Sequence, residues 1–200
     1  MSDNLEQLLG RHPSIQRCIS AIALPVLQPV GLEEIVARGS RDAGIEFPEA
    51  ARACIAILAR GIPYVAHLLA LRAGQAALER GEDVVSGASL TDSILAAEAE
   101  ADPRIVSLYD TLTGRGQDAG MVALLQSAAG NYDAFGHFAV HPTPGGIRLS
   151  RLPDGARNWQ RLQQNGAVTS AGARLDRFTF TEAMLPVYVL LRAAGRPRSA

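Results

Sequence analysis

Between residues 28 and 112 apolar side chains recur at helical spacing, and proline and glycine cut that pattern into lengths. Leu32, Ile35 and Val36 share one side of a stretch whose other side carries Glu33 and Glu34, and Gly39 to Gly44 ends it. Pro48 opens the next, with Ala51, Cys54, Ile55 and Leu58 on one side and Gly61 at the end. Pro63 starts a third, which carries Val65, Leu68, Leu69, Ala76 and Leu78 down to Gly81. Thr91 or Asp92 is expected to cap a fourth through Ile94, Leu95 and Ala99, and Pro103 begins a fifth that runs to Leu112. Proline presets the first helical turn and cannot continue a preceding one, so each boundary has a physical cause. The expectation is an all-helical bundle, taken as one domain over residues 28–114.

Thr113 to Gly120, rich in glycine and polar residues, is expected to be a linker or domain boundary, and beyond it the pattern changes. Met121 to Ala129 fits a helix, and Tyr132 to Phe138 fits a turn feeding a short apolar strand. Residues 141–154 hold Pro142, Pro144, Gly145, Gly146 and Pro153 and suit a loop. Ala156 to Gln164 fits a second helix. Gly166-Ala167-Val168 and Leu175 to Phe180 fit two strands joined at Gly172, and Met184 to Ala194 closes the region as an apolar helix. Helix, helix and a two-stranded wing are the outline of a winged helix, placed over residues 115–200. Ahead of the bundle, Asp3 or Asn4 can cap a short helix that Gly10 ends, and Ile19 to Leu24 suits one short strand stopped by Pro25.

All 19 basic residues are arginine, against 20 acidic ones, for a net charge of −1. Overall charge therefore makes no case for nucleic acid or an acidic surface. A phosphate-cradling loop of the form G-x-x-x-x-G-K-[ST] needs a lysine to reach the terminal phosphates, and the sequence has none. Usual P-loop hydrolysis by this chain alone is thereby excluded. Cys18 and Cys54 sit in apolar runs and are expected to be buried, reduced thiols. The opening Met-Ser-Asp-Asn-Leu-Glu fits a helix start and not a targeting segment, and the apolar runs are too short for a membrane span. A cytoplasmic location without membrane contact is the expectation.

Several segments, in this order, resemble the C-terminal part of a bacterial AAA+ ATPase of the origin-recognition/transposition-helper type. Leu8 to Arg17, followed by Ile22 to Leu27, is similar to the segment after the second sensor strand. Leu32-Glu33-Glu34-Ile35-Val36 resembles the first lid helix, and Gly61-Ile62-Pro63-Tyr64-Val65-Ala66-His67-Leu68-Leu69 the lid helix that closes over adenine. Leu124 to Ala128, Asp133 to Phe138, Arg177 to Phe180 and Leu185 to Leu190 are similar to the winged helix appended to those proteins. The likeness spans nearly the whole chain, but both Walker motifs and the first sensor are missing. It implies a mainly α chain: an AAA+-type helical lid, then a winged helix, preceded by a short α/β remnant over residues 1–27.

The same resemblance implies sites. Gly61, Ile62, Pro63 and Tyr64 would approach a nucleotide's base and ribose through backbone, since Gly61 has no side chain and Pro63 presets the turn. Arg17, after His12-Pro13-Ser14, is similar in position to an arginine finger acting in trans on a neighbouring subunit's ATP. ATP and Mg²⁺ would be cofactors only where a partner core completes the site. Arg148, Arg151, Arg157, Arg161, Arg174 and Arg177, against Asp154 and Asp176, make the wing locally basic; Arg157, Arg161, Arg174 and Arg177 are the candidates for DNA phosphates. The plainer alternatives are a helix boundary at Gly61 to Pro63 and a solvated arginine face on the wing. Trp159 and His67 are expected in the core, as are Phe135, His137 and Phe138 at the wing base. His137 and His141 lack the further ligands of a metal site, and Glu98, Glu100 and Asp102 are expected to be solvated.

Two functions follow. The first is a C-terminal fragment or split half of an AAA+ protein, giving lid and winged-helix contacts to an AAA+ core subunit, with no hydrolysis alone. The second is a stand-alone winged-helix DNA-binding or regulatory module whose bundle mediates homo-oligomerisation.

Overall fold

The structure, a computed structural model, describes residues 26–133, 135–140, 146–171 and 176–195. Arg17, Arg174, Cys18, His141 and the expected strand at Ile19–Leu24 lie outside the described residues, as does all but the end of the expected 1–27 remnant. The described chain is mainly helical with one small sheet.

Four helices form the first half: α1 (Pro29–Ala43), α2 (Glu49–Ala59), α3 (Pro63–Glu79) and α4 (Gly87–Ala99). Prolines stand in the first turns of α1 and α3, where a missing N–H costs nothing. Gly44, left-handed at φ 68°, closes α1. The helix α4 starts earlier than Thr91 or Asp92 because Ser86 caps it, its hydroxyl accepting from the Ser89 N–H. Thr91 sits inside the helix and donates its hydroxyl to the Gly87 carbonyl. Leu32, Val36, Ile55, Leu58, Val65, Leu69 and Ile94 fill this core together with a set of alanines. Short side chains let the helices lie close: the buried Ser93 hydroxyl reaches the Leu69 carbonyl at 2.7 Å. The α1–α2 and α3–α4 connections are tied by a parallel bridge between Glu46 and Val84, in which Glu46 N–H donates to Asp83 and Val85 N–H to Glu46.

The second half contains α5 (Pro103–Thr113), α6 (Ala119–Gly130), β1 (Phe138–Ala139), a 3-10 turn at Leu149–Arg151, α7 (Gly155–Gln164), β2 (Val168–Ser170), β3 (Arg177–Phe180) and α8 (Leu185–Ala194). The strands form an antiparallel sheet in the order β1-β3-β2, pairing Phe138 with Phe178 and Val168 with Phe180. Phe178 and Phe180 are buried while Arg177 and Thr179 between them are not fully so, the period-2 alternation of a one-faced sheet. Phe138, Trp159, Phe178, Phe180, Tyr109 and Tyr188 build an aromatic core with Leu112, Met121, Leu124, Leu125, Leu162 and Leu185. Burying each such side chain is worth about 1.5–3 kcal/mol.

The two cores part between α4 and α5, one helix ahead of the sequence-expected boundary at residue 114: Ile105, Tyr109 and Leu112 of α5 belong to the second. Thr113 to Gly120 is no loose linker. Thr113 is fully buried, its hydroxyl accepts from Gly116 N–H, and Asp118 N–H donates to the Thr113 carbonyl. Helix α8 is a shared wall, with Val187 and Leu191 in the first core and Leu185, Tyr188 and Val189 in the second.

Other expectations are corrected. His67 is exposed, as are Leu78 and Leu95: among the described residues these positions of α3 and α4 are left largely open, with Gly195 reaching only the edge of Leu95. Phe135 is 58% exposed and stacks on His137 instead of entering the core. The acidic helix end is paired: Glu98 with Arg192, Glu100 with Arg72, and Asp102 with Arg104 while capping α5. Cys54 is only half-buried, and that burial raises its thiol pKa. Among the described residues no helix is long and apolar enough to cross a membrane.

Candidate functional site

Helix α7 is positioned from its first residue. Asp154 is left-handed at φ 49°, and Gly155 follows because any side chain there would collide with the Leu149 carbonyl of the 3-10 turn. Asn158 is buried and donates to the Pro153 carbonyl at 3.4 Å. Gly120 of α6 is also needed, since a Cβ there would lie 2.5 Å from that same carbonyl oxygen. Trp159 is in the core as expected, edge-on to Phe178 with centroids 4.7 Å apart and edge-on to Phe138. Leu162, one turn on, is fully buried.

With that side inward, the opposite side is fixed by the 3.6-residue turn. Arg157, Gln160 and Gln164 fall within about 60° of arc, diametrically away from Trp159 and Leu162, and all three are exposed. None makes a hydrogen bond or ion pair among the described residues. The glutamines were not among the sequence-predicted residues. Their signal is the helical period itself, read from the polar side instead of the apolar one.

The four arginines expected to meet DNA divide. Arg157 is exposed and makes no hydrogen bond or ion pair among the described residues, although its charge helps to hold the Asp118 carboxyl down. Arg161 turns to the flank, pairing with Asp118 at 2.6 Å and reaching the Leu112 carbonyl at 3.3 Å. Asp118 caps α6 through the Met121 N–H, and that bond, with Arg161 beside it, holds its carboxyl below the usual range. Arg177 pairs with Asp133 at 2.7 Å, and Asp133 also accepts from the Phe135 and His137 N–H groups. Arg161 and Arg177 are thus part-exposed but committed to ion pairs within the chain. Arg174 lies outside the described residues. Arg148 and Arg151 are exposed on the 3-10 segment that abuts the start of α7, where the exposed Asp154 is the nearest carboxylate along the chain.

The turn Gly61-Ile62-Pro63-Tyr64 forms the junction of α2 and α3. Arg60 and Gly61 are both left-handed, at φ 48° and 80°. The room left by the missing Gly61 side chain is filled by the chain itself: a Cβ would lie 2.5 Å from Val26 Cβ, and Leu27 N–H donates to the Gly61 carbonyl at 3.1 Å. Tyr64, 66% exposed, and Pro63 face solvent. Arg60 lies over the Tyr132 ring at 4.8 Å, with its Nε buried and unpartnered among the described residues. Burial lowers the Arg60 pKa and raises that of Tyr132.

Among the described residues no group of three or more His, Cys, Asp or Glu side chains could hold a metal ion. In comparison with known proteins, no family model matches the chain and no curated protein matches it.

Proposed function

We propose that the second half of this chain is a winged-helix unit that docks α7 on duplex DNA, carried by an AAA+ lid-type helical bundle. The observation that supports this most is the order α6, β1, 3-10 turn, α7, β2, β3 with a β1-β3-β2 antiparallel sheet, in which the α7 polar face is exposed among the described residues. A helix about 10–12 Å across fits a major groove of about 12 Å. Arg148, Arg151 and Arg157 supply positive charge for phosphates. The test is fluorescence anisotropy of the full chain against a mixed-sequence duplex at low salt. Binding that weakens severalfold in the triple Arg148→Ala, Arg151→Ala, Arg157→Ala variant is expected. Absence of binding by the wild-type chain at low salt would overturn the reading.

A second reading concerns the bundle. The exposed Tyr64 and Pro63 at the start of α3 favour a lid contact with nucleotide held by an AAA+ core subunit, made without Gly61, whose open side Val26 fills, and with Arg17 offered in trans. Since the chain has no lysine, the phosphate-loop lysine must come from elsewhere in such an assembly. Calorimetry with Mg·ATP should then show binding only when a P-loop partner is present, weakened by Tyr64→Asp. Alone, the chain would act through DNA and self-association.

A further inference from the structure

The uncovered face of α7 is built from two side-chain types, and their chemistry carries more than a docking surface. Binding that depends on phosphate alone is served by any cation, and a face for that purpose gains most from several free arginines. On the ridge of α7 itself the structure leaves one arginine, Arg157, without a hydrogen-bond or ion-pair partner among the described residues. Arg161 is one residue off the outward ridge and is held by Asp118, the Leu112 carbonyl and Asn158 Oδ1. Arg177 is held by Asp133. What remains at the centre of the face is Arg157, Gln160 and Gln164, at spacings of three and four residues along one side of a helix whose other side is anchored by Trp159.

A glutamine amide adds nothing to phosphate attraction by charge, but it pairs an acceptor with a donor. In a major groove that pair matches the N6 donor and N7 acceptor of adenine, while a guanidinium matches the O6 and N7 acceptors of guanine. We propose that α7 reads base edges, with Arg157 selecting guanine and Gln160 and Gln164 selecting adenine, so that the chain recognises a particular duplex sequence. This rests on the duplex-binding reading above. Charge complementarity supports the occupant: Arg148 and Arg151 abut the N-terminal end of the ridge, and with Arg157 they outnumber the flanking carboxylate of Asp154, while Asp118, which also feels the Arg157 charge, is paired with Arg161. Gly155 and Gly120 fix the helix against Leu149 and Pro153, so the ridge is presented by a rigid element.

The test is selection from a pool of duplexes with a randomised window, using the full chain, then affinity measurements on the enriched sequence and its single-base variants. The expected result is an enriched site containing a guanine and neighbouring adenines. Gln160→Ala or Gln164→Ala should each flatten the preference at one adenine by about tenfold, the loss of one bidentate contact. Affinity for unselected duplex should stay within about twofold, since phosphate contacts are retained. Both glutamines are exposed, so neither change threatens folding. Duplex binding with no enriched sequence, or an enriched sequence indifferent to both glutamine substitutions, would overturn this inference and leave the duplex-binding reading standing. No duplex binding at all would overturn both.

Discussion

The core beneath α1 to α4 is filled with aliphatic side chains and many alanines, Phe47 being its buried aromatic, whereas the core around the sheet gathers six buried aromatic side chains. The contrast follows from geometry. Helices packed side by side gain from short side chains that let their backbones approach, as the Ser93 to Leu69 bond does between α4 and α3. Where helices cover one face of the sheet, large flat rings fill the space between the layers, with Trp159 edge-on to Phe178 and Phe138. The two halves should therefore fail in opposite ways, one when volume is added and the other when volume is removed.

The largest effect should come from emptying the aromatic core. Phe138 is buried and lies within ring contact of Tyr132, Trp159, Phe178 and Phe180. Phe138→Ala should cost about 3–5 kcal/mol, read as a lower guanidinium midpoint with lost near-ultraviolet dichroism. A loss below about 1 kcal/mol would mean that the cluster is not what holds the sheet to α7. Filling the alanine core comes next. Ala73 is fully buried on α3, and Ala73→Leu should cost about 1–3 kcal/mol by overpacking, where the same side chain on a helix surface would be neutral.

A smaller effect sharpens the comparison at the α6–α7 contact. Asp118→Ala removes the α6 cap and the Arg161 partner, and should cost about 0.5–2 kcal/mol at neutral pH. The native carboxyl pKa lies below its unfolded value, so its contribution is complete above the unfolded pKa of about 3.9 and is lost as pH falls through the native value. The gap between variant and wild type in urea midpoints should accordingly close in acid and not in alkali. Least of all should be Ile57→Ser: Ile57 is 58% exposed on α2 and belongs to neither core, so thermal midpoints should agree within the equivalent of about 0.5 kcal/mol.

What the sequence makes legible follows from the range of each interaction. Pro48, Pro63 and Pro103 act on their own turn, and the helices begin at or beside them. The start of α4 is hidden because Ser86 and Gly87 read as loop residues until the Ser86 hydroxyl is seen on Ser89 N–H. Apolar spacing gives the direction of a buried stripe but not its width, so Leu78 and Leu95 belong to the pattern and still face solvent. At the candidate site the limit is distance along the chain. Arg161 and Arg177 read as free cations because their carboxylate partners lie 43 and 44 residues away. Gln160 and Gln164 lie within reach of the helical period but carry no charge to mark them.

Val26 sits against the open sides of two left-handed glycines, Gly61 in the first half and Gly136 in the second, beside the Arg60–Tyr132 stack. Mechanically, this makes residue 26 a shared anchor. A pull arriving at Val26 would reach both halves through this one residue. Under force the two cores should yield as one event, and a displacement upstream would swing α7 together with the bundle as a single lever.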